Sequence, residues 1–85
     1  MKIEASKKFI KLSRLVPAEV LAQARKALEL LQRTPQHPSL QNKRMAGYDD
    51  IYEIRVNINY RITYKKTGDT ALLRKIGTHD LLRSP

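Results

Sequence analysis

The stretch IYEIRVNINYRITYKKTGD, from Ile51 to Asp69, contains the most informative pattern of the chain for predicting its fold. Between Tyr52 and Lys65 apolar residues alternate with polar ones, which is the period of a half-buried β-strand. A single strand of this length would span about 45 Å at roughly 3.3 Å per residue, whereas a domain of this size has a radius of gyration of about 12 Å. The segment must therefore fold back on itself and form a hairpin.

The alternation also predicts the register of this hairpin. Residues that face each other across two strands lie on the same face of the sheet, so keeping the parity across the turn requires an odd number of loop residues. Asn57-Ile58-Asn59 is the predicted loop, and Asn59 is expected to have a positive φ, which asparagine tolerates better than most residues. The facing pairs are then Val56 with Tyr60, Ile54 with Ile62, and Arg55 with Arg61.

Arg55 and Arg61 are thus predicted to lie side by side on the polar face of the sheet. Like charges directly opposite each other destabilise a sheet. Glu53 is two residues from Arg55 and diagonal to Arg61, so it is expected to offset part of this charge. One carboxylate against two guanidinium groups leaves the patch positive. For either arginine alone, a solvated face with a surface ion pair is the simpler explanation.

Two helices are predicted before the hairpin. Ser6 can cap a first helix over Lys7 to Leu15, and Pro17 suits the first turn of a second one. In the second helix, apolar residues recur at helical spacing until Thr34-Pro35 ends the pattern. The connector TPQHPSL (34–40) follows, and its prolines exclude both a helix and a central strand.

Further strands complete the predicted sheet. Lys2 to Ala5 is extended in character, and Leu40 to Gly47 is interpreted as a basic strand. Thr70 to Ile76 reads as a strand partly covered on both faces, with Arg74 and Lys75 on opposite sides. The chain is one domain, 1–85, of the α+β class. In it, an N-terminal strand and a helical hairpin pack on a three- to four-stranded antiparallel sheet.

Composition points to a polyanionic partner. Lys and Arg number 17 against 8 Asp and Glu, which gives a formal net charge of +9. Nucleic acid is favoured over a membrane because no strongly apolar amphipathic helix is evident. There is no cysteine, no long apolar run and no leader, so a cytoplasmic protein without disulfides is expected. No phosphate-binding glycine loop and no zinc-ligand spacing occur, so no metal or other cofactor is expected.

His79 is the candidate for proton transfer. It follows the last predicted strand, and the adjoining strands bring Arg55, Arg61 and either Arg74 or Lys75 to one face. One titratable group among fixed cations suits phosphate chemistry, although an isolated histidine at a strand end is more often a surface residue.

The remaining histidine and the tyrosines are interpreted differently. His37 lies inside the connector and is expected to be an exposed loop residue. Tyr52, Tyr60 and Tyr64 lie on the predicted core face, which indicates packing. Tyr48 follows Gly47 in a loop, where it would either stack on a base or contact its own domain.

Taken together, these segments resemble the RelE/ParE superfamily, the toxins of bacterial type II toxin–antitoxin systems. The similarity extends over nearly the whole chain, and its most specific part is the pair YEIRV (52–56) and YRITY (60–64), followed by LLRKIGTHDLL (72–82). The resemblance implies the RelE-like α+β fold. In members that cleave messenger RNA, the 2′-hydroxyl of the substrate attacks the adjacent phosphate in the ribosomal A site, without a metal.

The resemblance also implies site residues and partners. Arg61 matches the family arginine of the second hairpin strand, and His79 matches the late catalytic position; together with Arg55 they are the predicted catalytic residues. The predicted RNA-binding residues are Lys43, Arg44, Tyr48, Arg74 and Lys75. The expected partners are a cognate antitoxin, in a hetero-oligomer, and the ribosome with its messenger RNA.

Two alternatives stay open, because the chain departs from some of these nucleases. Ser39 stands where they have a glutamate, and the chain reaches Pro85 without a late tyrosine. A gyrase inhibitor of the ParE type would share the fold and act by binding, although His79 argues against it. A catalytically inactive relative that binds nucleic acid would need only the basic face.

Overall fold

The predicted hairpin lies at the centre of a five-stranded sheet. In the computed structural model, which describes residues 1–85, this sheet carries two α-helices on one face. The strands are β1 (Lys2–Ala5), β2 (Lys43–Arg44), β3 (Ile51–Arg55), β4 (Tyr60–Thr67) and β5 (Thr70–Thr78), and the helices are α1 (Lys7–Ser13) and α2 (Ala18–Arg33). Pro38–Leu40 and His79–Arg83 form short 3₁₀ turns.

The strand order confirms the predicted α+β class. Across the sheet the order is β1-β5-β4-β3-β2, and β2 to β5 are the four antiparallel strands that the sequence predicts. β1 joins the edge of the same sheet and runs parallel to β5, with Ile3 beside Ala71. The sheet is therefore mixed, and the helical hairpin packs on it as predicted.

The helix ends follow the local sequence signals. Ser6 caps α1, because its Oγ accepts a hydrogen bond of 3.1 Å from the backbone N–H of Phe9. α1 ends at Ser13 rather than at Leu15, since the chain tightens there into two consecutive i to i+3 hydrogen bonds before Pro17. α2 begins after Pro17 and ends at Arg33, as predicted. Neither helix is long and apolar enough to cross a membrane.

The core lies between the helices and one face of the sheet, here called the helix-side face. The buried residues there are Ile54, Ile62, Tyr64, Ala71, Leu73 and Ile76 from the strands and Phe9, Ala24, Ala27 and Leu31 from the helices. Ile54 and Ile62 face each other and have no exposed surface. Burial of a side chain of this size stabilises a fold by about 1.5–3 kcal/mol, and a slip by one residue would expose both. This burial holds the hairpin in register.

The hairpin register is the predicted one. Cross-strand pairing and a backbone hydrogen bond of 3.0 Å from Val56 to Tyr60 confirm the facing pairs Ile54 with Ile62, Arg55 with Arg61, and Val56 with Tyr60. The polar residues Arg55 and Arg61 are therefore neighbours, on the face of the sheet opposite the core.

The conformation expected for Asn59 is wrong. Gln41 is the only non-glycine residue with a positive φ. The side chain of Asn57 closes the hairpin loop instead, because its Oδ1 accepts hydrogen bonds from the N–H groups of Asn59 (2.8 Å) and Tyr60 (2.9 Å). An asparagine can satisfy a turn in this way without a left-handed residue at its end.

The segment between α2 and the hairpin is less regular than predicted. The strand expected over 40–47 comprises only Lys43–Arg44. Leu40 ends a 3₁₀ turn and is buried, and Gly47, with a φ of 86°, lies in a turn that starts at Met45. These two turns leave only a short strand between them. The prolines exclude an α-helix here, and His37 is exposed, both as predicted.

Candidate functional site

The polar face of the sheet, opposite the helix-side face, carries rows of side chains that cross several strands. Directly paired residues lie on the same face. One row consists of Lys43, Glu53, Thr63 and Lys75, and the next consists of Arg55, Arg61 and Gly77. Arg44 pairs with Tyr52, whose row belongs to the helix-side face. The basic dipeptide of β2 is therefore divided between the two faces.

Glu53 has a different partner from the expected one. Its carboxylate lies 3.6 Å from the Nζ of Lys43, directly across the β2–β3 pair, and its side chain is only 9% exposed. Neither Arg55 nor Arg61 forms an ion pair. The prediction that Glu53 offsets the two arginines is wrong, because β2 brings a lysine closer to it. Both guanidinium groups keep their charge uncompensated.

Arg61 is held against the hairpin loop. Its Nη1 donates hydrogen bonds to the carbonyl oxygens of Asn57 (2.6 Å) and Tyr60 (3.0 Å). A guanidinium has five N–H groups, so three of them remain for a ligand. The side chain is half-buried, which limits its motion further. Arg61 is thus an oriented cation rather than a mobile one.

Arg55 has different surroundings, although its backbone pairs with that of Arg61. It borders a cleft of about 180 Å³ together with Gln23 and Lys26 of α2 and Ser39 of the connector. Its guanidinium makes no hydrogen bond or ion pair within the protein. Arg55 therefore adds positive charge beside the hairpin without the fixed orientation of Arg61.

His79 contacts the same hairpin loop. Its Nε2 lies 3.2 Å from the carbonyl oxygen of Ile58. A carbonyl can only accept, so Nε2 carries a hydrogen, and Nδ1 of the neutral ring keeps a lone pair for proton transfer. His79 is exposed and lines an open depression of about 380 Å³ with Asn59, Tyr60, Thr78 and Asp80.

The loop 57–60 therefore holds two groups suited to phosphate chemistry, Arg61 and His79. We call these two side chains and the loop the hairpin end. A fixed guanidinium can stabilise negative charge that develops on a phosphate, and an imidazole with a free nitrogen can accept a proton. No group of three or more His, Asp or Glu side chains lies close enough to hold a metal ion.

The middle of the polar face is covered by residues 79–85, here called the C-terminal segment. Lys75 Nζ donates to the Ser84 carbonyl (2.6 Å), and both Arg74 Nε (3.1 Å) and Thr63 Oγ1 (3.2 Å) donate to the Pro85 carbonyl. The prediction that Arg74 and Lys75 point to opposite sides is wrong. A bulge makes Arg74 an extra residue of β5, which brings both side chains to this segment.

Gly77 leaves space for the C-terminal segment because it has no side chain. It faces Arg61, and a Cβ at this position would lie 3.1 Å from the side chain of Leu81. Pro85 is buried at the far end of the segment. The sequence analysis did not predict that residues 79–85 cover the polar face. Two leucines and a proline after the last strand are a signal for such packing, because leucine side chains are more often buried than exposed.

The predicted RNA-binding residues do not form one surface. Lys43, Arg44 and Tyr48 lie at or after the β2 edge, where Tyr48 is 43% exposed in the loop after Gly47. Arg74 and Lys75 lie two strands away from β3 and hold the C-terminal segment. Of the predicted catalytic residues, the fold joins Arg61 and His79 at one loop. Arg55 pairs with Arg61 in the sheet but borders a different cleft.

Comparison with known proteins agrees with this fold. Residues 18–80 match the family model of the ParE-like toxin domain. The chain therefore belongs to the ParE-like toxin domain family, and it is a toxin of a toxin–antitoxin system. Among functionally curated proteins, no sequence matches it.

Solved toxin structures share the architecture. A chain of the RelB-RelE antitoxin–toxin complex from Methanococcus jannaschii is 26% identical, with a TM-score of 0.77 and 93% of each chain covered. A chain of the E. coli DinJ-YafQ toxin–antitoxin complex is 20% identical, with a TM-score of 0.79 and coverage of 95% of this chain and 94% of that one. A chain of the E. coli RelBE complex is 19% identical, with a TM-score of 0.73 and coverage of 91% and 94%.

Proposed function

We propose that this toxin is a ribosome-dependent endoribonuclease that cleaves messenger RNA and thereby inhibits translation. One observation carries the proposal: Arg61 and His79 both form hydrogen bonds with carbonyl groups of the same hairpin loop, and His79 lines an open depression there. The pair supplies an oriented cation and a proton acceptor, which is the minimum that RNA cleavage through the 2′-hydroxyl requires.

In the proposed reaction the substrate supplies the nucleophile, so neither a metal nor another cofactor is needed. His79 Nδ1 takes the proton of the 2′-hydroxyl as that oxygen bonds to the adjacent phosphorus. The bond from phosphorus to the 5′-oxygen breaks, which leaves a 2′,3′-cyclic phosphate, and the departing oxygen takes a proton from solvent. The free N–H groups of Arg61, with Arg55 nearby, stabilise the negative charge on the phosphoryl oxygens.

In this proposal, the ribosome positions the RNA strand for cleavage. A domain with one histidine at the hairpin end and an open depression has little means to hold a flexible RNA strand with the 2′-oxygen in line with the phosphate. Positioning of this kind is worth several orders of magnitude in rate. Naked RNA is therefore expected to be cleaved poorly, and messenger RNA held by the ribosome efficiently.

An antitoxin is the proposed protein partner. The chain carries a net charge of +9, and Arg55 and Arg61 have no acidic partner within it. An acidic antitoxin segment over the polar face would compensate this charge in a hetero-oligomer, and its binding would weaken as salt is added. The solved relatives from M. jannaschii and E. coli in complex with their antitoxins support this proposal.

Inhibition of gyrase is the second candidate. The family model that matches is the ParE-like toxin domain, and the C-terminal segment occupies Arg74 and Lys75, two of the predicted RNA-binding residues. A toxin that acts by binding alone would need neither residue for a substrate phosphate.

One experiment compares the two candidates. Wild-type protein, His79→Ala and His37→Ala are added to a translating extract, and cleavage of ribosome-bound messenger RNA is mapped by primer extension. The same proteins are added to a gyrase supercoiling assay. Cleavage by wild type and by His37→Ala, but not by His79→Ala, is expected, since His37 is an exposed residue of the connector. Absence of cleavage together with blocked supercoiling would replace the nuclease by the gyrase inhibitor.

A further inference from the structure

A further cavity lies on the side of the sheet away from Arg61 and His79. Its volume is about 310 Å³. It is lined by four connector residues, by the two residues after the connector, by three residues of the hairpin strands and by the N-terminal residue: Pro35, Gln36, His37, Pro38, Gln41, Asn42, Tyr52, Tyr64, Lys66 and Met1. We call it the connector pocket. Tyr52 and Tyr64 belong to the helix-side face, so the proposed cleavage reaction does not use this cavity.

The walls of the connector pocket are held in place by contacts within the protein. Tyr64 is 1% exposed, and its hydroxyl donates a hydrogen bond of 2.8 Å to Asn42 Oδ1. Asn42 Nδ2 donates in turn to the Pro35 carbonyl at 3.1 Å. The rings of Tyr52 and Tyr64 stack with centroids 5.4 Å apart and planes inclined by 16°. Contacts within the protein therefore orient Tyr52, Tyr64 and Asn42 at the cavity.

The unused polar groups of the pocket are mostly hydrogen-bond donors. The Lys66 ammonium, the Tyr52 hydroxyl and the side-chain amides of Gln36 and Gln41 make no hydrogen bond or ion pair within the protein. Lys66 Nζ lies 5.6 Å from the Tyr52 ring centroid, so its charge is held at the cavity. No Asp or Glu side chain lines the cavity. This chemistry favours an anion.

The backbone of the pocket is strained at one residue. Gln41 has a φ of 46°, and no other non-glycine residue of the chain has a positive φ. Its N–H donates to the Pro38 carbonyl at 3.1 Å, which keeps the connector turn closed. Strained residues of this kind concentrate at ligand-binding sites, where the surrounding structure holds them.

We propose that the connector pocket binds a small phosphate monoester. A phosphate monoester has three terminal oxygens that accept hydrogen bonds, one more than a carboxylate, which suits a pocket with several free donors and the free Lys66 ammonium. The volume lies at the lower end of the range of about 300–1,000 Å³ for small-molecule pockets, so it leaves room for an organic body beside the phosphate. Nucleoside monophosphates and sugar phosphates are the members of this class that fit the size and polarity.

The test is a titration of ¹⁵N-labelled full-length protein, followed by NMR. The probes are AMP, UMP, ribose 5-phosphate, inorganic phosphate and glutamate. At least one phosphate monoester is expected to shift the side-chain amides of Gln36 and Gln41 with a dissociation constant of about 1 mM or lower. A nucleotide preference over ribose 5-phosphate would identify the organic body as a nucleoside. No shift with any monoester overturns the proposal, and so does equal binding of inorganic phosphate or glutamate.

Two lysine variants give a matched control. Lys66→Met removes the ammonium at the pocket, whereas Lys65→Met removes the neighbouring ammonium, which pairs with Asp50 at 3.7 Å. Both lysines are exposed, and both variants have the same net charge. Loss of a charged hydrogen bond should raise the dissociation constant about tenfold or more in Lys66→Met and leave Lys65→Met unchanged. An equal rise of the dissociation constant in both variants would mean that net charge alone attracts the monoester, and it would overturn the proposed site.

Discussion

The two faces of the central hairpin follow the same alternation of residues, but they are completed in different ways. On the helix-side face, Ile54 and Ile62 are buried by helices, as the sequence predicts. On the polar face, Arg55 and Arg61 lie at an end without ion pairs, while Thr63 is buried beneath Pro85, 22 residues away in the chain. Periodicity thus predicts which side chains share a face, but not which segment covers it.

The largest effect is expected at the hairpin end. His79→Ala should lower cleavage of ribosome-bound messenger RNA by about a hundred- to ten-thousandfold if the imidazole moves the proton. Arg61→Ala should lower it by about a hundred- to a thousandfold through lost charge stabilisation. The measurement is the single-turnover cleavage rate in a translating extract.

Lys75→Ala is the comparison on the covered part of the same face. Its ammonium holds the Ser84 carbonyl rather than the hairpin loop, so a far smaller loss of rate is expected. Circular dichroism should show all three variants folded. Equal losses in Lys75→Ala and Arg61→Ala would mean that the covered middle takes part in the chemistry, and the distinction between the two regions of the polar face would fail.

The closure of the hairpin loop is expected to depend on one asparagine. Asn57→Ala removes the acceptor for two backbone N–H groups and a hydrogen bond of 2.8 Å to Gln23, so the free energy of unfolding should fall by about 1–3 kcal/mol. Asn59→Ala is the matched control, since no hydrogen bond involves its side chain. Urea denaturation measures both. Equal stabilities of the two variants would contradict the closure by Asn57.

The C-terminal segment is expected to be held less tightly on the polar face when the buried hydroxyl of Thr63 is removed. Thr63→Val keeps the shape of the side chain but loses the hydrogen bond to the Pro85 carbonyl. Local protection of residues 79–85 against hydrogen exchange should fall by about 1 kcal/mol, a typical value for one hydrogen bond. Thr67→Val, at an exposed position, should not change it. Unchanged exchange in Thr63→Val would show that packing alone holds the segment.

The smallest effect is expected on the helix-side face, where Tyr64 makes the stability of the fold depend on pH. Burial raises the pKa of Tyr64 above its ordinary value of 10.0, which outweighs the opposing hydrogen bond with Asn42. The folded state therefore holds this proton more tightly than the unfolded state. Its stabilising contribution is fully present below pH 10.0 and declines as the pH rises through the folded pKa.

Tyr64→Phe removes this titrating group, so its stability should fall less steeply above pH 10.0 than that of wild type. Tyr48→Phe, at an exposed tyrosine, should behave like wild type. Thermal unfolding followed at a series of alkaline pH values measures the difference. Parallel curves for wild type and Tyr64→Phe would contradict the assigned cause.

The sequence accounts for only part of the arrangement of the candidate site residues. The fold brings the candidates Arg61 and His79 to one loop, because the hairpin register and the end of β5 follow from local patterns. Their catalytic roles stay a prediction. The surroundings of Arg74 and Lys75 were missed. A bulge changes the direction of side chains by one residue, and nothing in the local alternation of TALLRKI marks its position.

The α+β class, the two helices and the pairing of Arg55 with Arg61 can all be predicted from the residue pattern alone. These features depend on the spacing of apolar residues, on helix caps and on an odd number of residues in the hairpin loop, all of which act within a few residues. Three features become visible only in the folded chain: β1 lies parallel to β5, Glu53 pairs with Lys43, and residues 79–85 cover Thr63. Each of these depends on contacts between segments far apart in the chain, and the period of a strand does not specify its neighbours or what lies over its polar face.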